Sequence, residues 1–339
     1  MTFRTTMKIK TSIENLKNYK VFLEVEKATN EFLQKKGYLK VDVPVLSPAL
    51  IPESYLEVFE TEFRYQDEKQ KLYLTPSPEL FLKRLLVEGI GDCYYLGKAF
   101  RNGERVSNLH SLEFTMLEYY KVGATYLQLA DEVLEMMRFV AKKIYRTDYL
   151  MYGGRKISFK KWEKFTVAEA FEKFAHISKL ELEDKKLFIK RAEKKGYKIK
   201  GFNYQDLFSQ IIAQEVEPKL GRNAFPTLLY NYPKELSALA KLSANGKVAK
   251  RIEFYIDGVE VGGCCEELND WKKQEKRFQI ESKKRNQAGL INHLIDKGFI
   301  KGLKYGLPNC TGVGIGFDRL AMVFAGVDSI DKLKLINIR

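Results

Sequence analysis

Between Lys98 and Tyr120 the sequence KAFRNGERVSNLHSLEFTMLEYY gathers basic, acidic and aromatic groups into two strands joined by a charged loop. Side chains alternate between the faces of a strand. Phe114, Met116, Glu118 and Tyr120 therefore share one face, while Glu113, Thr115, Leu117 and Tyr119 share the other. Arg101 stands at the end of the first strand. A guanidinium opposite an aromatic and carboxylate surface suits a planar ligand that carries phosphate. A half-exposed sheet edge with Glu118 in water satisfies the same pattern.

A second concentration lies in NCTGVGIGFDRLAMVFAG, where Gly312, Gly314 and Gly316 alternate along a predicted strand and leave one face bare for a ligand. A dinucleotide-binding glycine loop would need a βαβ unit and an acidic residue about twenty positions later, which this stretch does not offer. Ser77 and Glu79 open a helix whose apolar side is Leu82, Leu85 and Leu86. A carboxylate there either meets a ligand or simply favours the helix dipole. In RIEFYIDGVEVGG, Ile252, Phe254 and Ile256 alternate before a turn at Asp257 and Gly258, which predicts a hairpin with Glu260 on its return strand. Glu266 and Glu267 follow, and several acids beside a nucleotide suit magnesium, which prefers oxygen ligands. His176 and His293 have no second ligand at metal spacing and read as structural or exposed, and the four cysteines form no CxxC pair for zinc.

FRN, a loop containing His110, and EFTMLE together resemble motif 2 of the class II aminoacyl-tRNA synthetases, in the lysine, aspartate and asparagine subgroup. Gly-x-Gly-x-Gly-Phe-Asp-Arg leading into an apolar helix resembles motif 3, with Arg319 as its arginine. A helix followed by YLKVDVPVLSP, with Pro44 inside the strand, looks like motif 1, the dimer interface of that family. The three motifs stand in order at family spacing. Their wording is most similar to lysyl-tRNA synthetases and to the short paralogues that ligate lysine to elongation factor P.

The resemblance implies an α+β fold, a mostly antiparallel sheet flanked by helices, as a single class II synthetase-like catalytic domain over 1–339 with a family-variable helical insertion at 150–225. It implies ATP and Mg2+, and attack of an amino-acid carboxylate on the α-phosphate to give an aminoacyl-adenylate and pyrophosphate. Carried over, Arg101 would hold the α-phosphate, Phe114 would stack on adenine and Arg319 would clamp the γ-phosphate, with His110 and Gly316 also at the nucleotide. The family has Glu directly after FRN to read adenine; here that place is Gly103, so Glu104 is the acid expected at ATP. Glu260 and Glu253 match the metal-side glutamates. Ser77, Glu79, Glu118, Tyr120, Glu267 and Gly314 would form the pocket for lysine or β-lysine. Where the family has Gly or Ala, then Asn-Gly-Phe, this chain has Gly262, Gly263, Cys264 and Cys265, which implies a larger pocket.

The elements that must carry these groups follow from periodicity. Val21, Val25, Ala28 and Phe32 recur at helical spacing and stop at Gly37, and Leu129, Val133, Met136, Val140 and Ile144 form another apolar stripe. Thr166 with Glu169 reads as a capping box, and further helices are predicted over 180–195 and 204–216. With 45% hydrophobic and 13% aromatic residues the chain can bury a large core. Its charge of +14 is densest at 185–200 and 271–285, faces that either attract anions or are simply solvated. No apolar run reaches the roughly eighteen residues of a membrane span, the start lacks the apolar block of a signal peptide, and a cytoplasmic location with no membrane partner is expected.

The motif 1 helix begins close to Met1, so the anticodon-binding barrel that precedes it in the synthetases is not expected. Elongation factor P is therefore the expected acceptor, with tRNA or another RNA second, and a non-catalytic, amino-acid-binding regulator third. A homodimer through motif 1 is also implied.

Overall fold

The computed structural model describes residues 7–103, 106–237 and 239–338. Among these, eight strands form one sheet: β1 (Leu39–Lys40), β2 (Cys93–Phe100), β3 (Glu113–Val122), β4 (Glu163–Thr166), β5 (Thr227–Pro233), β6 (Val248–Ile256), β7 (Val259–Glu266) and β8 (Cys310–Gly316). Their order is β4-β5-β6-β7-β8-β3-β2-β1. Only the two outermost pairs run parallel, so the sheet is mostly antiparallel and the fold is α+β, as the family resemblance implies. The turn between β6 and β7 needs two left-handed residues, supplied by Asp257 at φ 50° and Gly258 at φ 79°.

Five helices matter to the site: α1 (Leu16–Lys35), α2 (Glu79–Val87), α3 (Tyr126–Tyr145), α4 (Trp271–Gln287) and α5 (Phe317–Ala325). On one face of the sheet, Leu117, Tyr119, Ile252, Phe254, Val313 and Ile315 meet α1, α3 and α5 in the main core. The helices fit that role because their apolar residues recur on one side. In α1 these are Val25, Ala28, Phe32 and Leu33, and each large side chain contributes roughly 1.5–3 kcal/mol by leaving water. Gly37, at φ 88°, turns the chain out of α1. A Thr125–Gln128 capping box starts α3, whose Leu129, Val133, Met136 and Val140 are all buried. On the opposite face, α2 and α4 close a smaller core through Leu80, Leu82, Leu86 and Phe278. The site lies on that side.

Two predictions about elements are corrected. The stretch expected as one motif 1 strand is divided: Leu39–Lys40 joins the main sheet, whereas Leu46–Ser47 pairs with Glu68–Leu74 in a separate three-stranded sheet. Pro44 falls in the gap, where no ladder hydrogen bond is required of it. The helix expected over 180–195 is two helices, because the Asp184 carboxylate accepts from Lys186 N at 2.8 Å and Leu187 N at 3.0 Å and so starts a new one. The helix at 204–216 exists, with its last five residues in π-helical form. Phe171, Phe188, Phe208 and Leu229 belong to a second apolar core that joins this part of the chain to β5. No described helix is long and apolar enough to cross a membrane.

Candidate active site

The bare face of β8 is the floor of a groove between β7 and β3. Register sets its walls: Gly312 lies between Tyr120 and Cys265, and Gly314 between Glu118 and Gly263. A Cβ on Gly312 would stand 2.5 Å from Tyr120 Cε1 and 2.7 Å from Glu267 Oε1, so no larger residue fits without displacing both. Two hollows meet over this floor. One, of about 120 Å³, is lined by Arg101, His110, Phe114, Glu260, Gly316 and Arg319. The other, of about 230 Å³, is lined by Glu53, Ser77, Glu79, Glu118, Tyr120 and Glu267. Arg101, Met116, Glu260, Gly263 and Gly314 border both.

The smaller hollow is cationic and aromatic. The Arg101 guanidinium lies 5.3 Å from the centre of the Phe114 ring, a cation–π arrangement that faces both groups into the groove. Arg319, in the first turn of α5, donates to Glu260 O at 2.9 Å, Leu109 O at 3.1 Å and His110 Nε2 at 2.9 Å. With Nε2 accepting, the imidazole carries its proton on Nδ1, which donates to Ser107 Oγ at 3.0 Å. The His110 loop is thereby tied to Arg319. Glu260 Oε2 stands 3.5 Å from Arg319 Nη1, and burial followed by the charge of Glu253 raises its pKa, against the pull of Arg319. Glu253 is firmly held: it accepts from Tyr232, from Tyr255 at 2.7 Å and from Arg251 Nη2 at 2.6 Å. Glu104 lies outside the described residues.

The larger hollow is acidic. Ser77 Oγ and Tyr120 OH each donate to Glu118 at 2.8 Å, one to each oxygen. Burial, and then the charge of Glu79, push the Glu118 carboxyl up to about 8, although these two hydrogen bonds oppose the rise. Ser77 Oγ also accepts from Glu79 N at 3.0 Å and so fixes the start of α2. Glu267 is 2% exposed, and burial raises its pKa despite the ammonium beside it.

That ammonium is Lys83, which sequence reasoning did not single out. Its Nζ pairs with Glu79 one turn earlier and with Glu267 Oε2 at 2.6 Å, in a side chain that is 2% exposed. Burial alone would lower its pKa, yet the carboxylates of Glu267 and Glu79 outweigh burial and hold it well above the usual lysine value. The i,i+4 spacing of Glu79 and Lys83 was a signal, though nothing local announced Glu267. Glu53, Tyr55 and Arg251 also line this hollow and were not foreseen. Arg251 lies on the groove side of β6, beside Glu253, whereas Glu53 and Tyr55 come from an irregular loop without periodicity. Glu266 faces elsewhere and pairs with Lys250 at 2.8 Å. His293 is buried with its ring 5.7 Å from that of Tyr73, and no cluster of metal ligands occurs among the described residues.

The sequence profile of the tRNA synthetases class II (D, K and N) matches residues 4–336. The Elongation factor P--(R)-beta-lysine ligase of Vibrio cholerae is 34% identical over 328 residues, covering 95% of this chain and 94% of that protein. Its counterpart in Avibacterium paragallinarum is 32% identical over 314 residues, covering 91% of each. The Lysine--tRNA ligase of Carboxydothermus hydrogenoformans is 33% identical over 309 residues, which are 90% of this chain and 62% of that longer protein.

Proposed function

The chain belongs to the class II tRNA synthetases (D, K and N), and from that premise we propose that it activates lysine or β-lysine with ATP and transfers it to a lysine side chain of elongation factor P. The names of its relatives support this reading, as does their coverage, which for the elongation factor P ligases is nearly end to end. The observation that carries it is the meeting of a cationic hollow and an acidic hollow over the bare face of β8.

In this reading the amino-acid carboxylate attacks the α-phosphorus of ATP, the bond to pyrophosphate breaks, and an aminoacyl-adenylate forms. The acceptor amine then attacks its carbonyl, AMP leaves, and an amide remains. Both reactants of the first step are anions, so catalysis consists of positioning and charge stabilisation. Arg101 meets the α-phosphate at the junction of the hollows, Phe114 stacks on adenine, and Arg319 takes the γ-phosphate, with His110 and Gly316 beside it. Ser77, Glu79, Glu118, Tyr120 and Glu267 receive the amino groups, and Gly314 leaves room for the substrate chain. Lys83 neutralises part of that acidic wall, so the pocket is matched to a cationic substrate without being left as a cluster of unopposed buried carboxylates.

Magnesium fits the donor chemistry of the nucleotide end. Glu260 and Glu253 lie near one another, and the repulsion that helps raise the Glu260 pKa is what a dication relieves. One or two carboxylates with nucleotide phosphates suffice to hold the ion, and when bound it neutralises phosphate charge. Leu16, Leu23, Leu39 and Leu46 are exposed on the motif 1 elements, which supports a homodimer there. A cytoplasmic location is part of the same proposal, since that is where ATP and elongation factor P would be met.

The test is amino-acid-dependent ATP–pyrophosphate exchange with α-lysine and β-lysine, followed by transfer monitored as a mass increase of elongation factor P. Exchange with a lysine isomer and one added residue on the factor are expected. Exchange without that mass increase, but with charging of tRNA, would move the acceptor; no exchange by folded protein would remove the activity.

A pH dependence follows from Glu118. Its raised pKa means that near pH 7 the free site holds a proton that a substrate ammonium must displace. The KM for lysine should therefore fall about fivefold between pH 7 and 8 and level off near 9, because ionisation of a group titrating near 8 is then nearly complete. Glu118→Gln should remove the part of the slope that belongs to a group titrating near 8 and raise KM throughout. A wild-type KM that stays flat from pH 6.5 to 9 would contradict this role.

A further inference from the structure

The ion pairs of the larger hollow leave two of its acids without a cation. Glu79 and Glu267 share Lys83, Glu253 pairs with Arg251 at 2.6 Å, and Glu260 stands 3.5 Å from Arg319. Among the described residues, no lysine or arginine forms an ion pair with Glu118 or Glu53. Glu118 is buried on β3, whereas Glu53 comes from the loop between Leu46–Ser47 and Glu60–Tyr65, the first two strands of the three-stranded sheet in chain order. A diamino acid carries two ammonium groups, and the pocket offers two unmatched carboxylates.

Glu53 is not loosely placed. Its carbonyl accepts from Arg285 Nη1 at 2.8 Å, and the next amide, Ser54 N, donates to Glu281 Oε2 at 3.0 Å. Arg285 is 1% exposed and also donates to Leu56 O and, at 2.6 Å, to Ile291 O. One turn of α4 thus grips the backbone of the loop from both sides. A buried arginine spent on main-chain carbonyls fixes where the loop side chains point. Tyr55 OH donates to the Glu53 carboxylate, and both side chains line the hollow. Glu53 and Arg101, the guanidinium at the junction of the two hollows, line the same larger hollow.

We propose that Glu53 is a specificity-determining residue that receives the amino group nearest the reacting carboxylate, while Glu118 serves the amine at the far end of the substrate chain. This rests on the lysine-activating function proposed above. It adds a fourth acid to the pocket, from a loop outside the three motifs. Arg285 and Glu281 are the positioning residues behind it.

The experiment compares lysine with 6-aminohexanoic acid, which lacks only the amino group beside the carboxylate, in pyrophosphate exchange by wild type, Glu53→Gln and Glu53→Asp. Glu53→Gln should reduce kcat/KM for lysine about tenfold to a hundredfold, mainly through KM, and change that for 6-aminohexanoic acid less than twofold. Glu53→Asp should restore part of the loss, and both variants should melt within a few degrees of wild type. Equal losses for the two compounds, or a loss confined to kcat, would make Glu53 a structural residue and overturn the proposal. Absence of exchange with lysine in the wild type would instead defeat the underlying function.

Discussion

Arg319→Ala is expected to slow pyrophosphate exchange about a thousandfold, with the KM for lysine changed only a few fold. An arginine that meets charge developing in a phosphoryl-group transfer typically accounts for 10²- to 10⁵-fold in rate, and in the proposed reaction that charge develops on the leaving pyrophosphate, which includes the γ-phosphate. The magnitude rests on position: Arg319 is held by the carbonyls of Leu109 and Glu260 and by His110, so under the proposed function its guanidinium would meet the nucleotide already oriented. Removing it also leaves those carbonyls without their donor, and a melting curve must accompany the kinetics. Arg319→Lys keeps the charge but loses the planar fork, and should recover only a small part of the rate. A drop of merely tenfold in Arg319→Ala would place this arginine outside the transition state.

Lys83→Met should give the largest loss of stability, about 3–5 kcal/mol, because it leaves Glu79 and Glu267 in a buried site without their shared cation. Urea unfolding followed by circular dichroism measures this directly. Most of the loss should return in Lys83→Met combined with Glu267→Gln, since the buried charge that made the single substitution costly is then gone. Activity should not return with it, because under the proposed function Glu267 is one of the acids that receive the substrate amines. A single-variant loss under 1 kcal/mol would mean that water reaches the pair and that Lys83 is not the internal counter-ion.

What the sequence disclosed, and what it hid, divide along physical lines. Alternation assigned the faces of β3 and β8 correctly: Phe114, Met116, Glu118 and Tyr120 do line one groove, and Leu117 and Tyr119 do enter the core. Capping boxes and glycine turns marked the helix ends for the same reason, since these signals are local. The partner of Lys83 was invisible because the Lys83–Glu267 contact joins elements far apart in the chain, and no period encodes it. Glu53 was missed because its loop has no periodicity and owes its place to Arg285. The motif 1 strand was read too long because hydrophobic alternation continues through Pro44, whereas strand pairing does not.

The place of β8 has a consequence for biosynthesis. It is inserted between β7 and β3, so while the ribosome is still making the last part of the catalytic face, both neighbours present open edges. Unpaired edges are templates for intermolecular association, and a pairing this distant in sequence forms slowly. Until the triple-glycine strand pairs with both neighbours, those two edges stay available to other chains. The strand that closes the sheet is also the one that floors the groove.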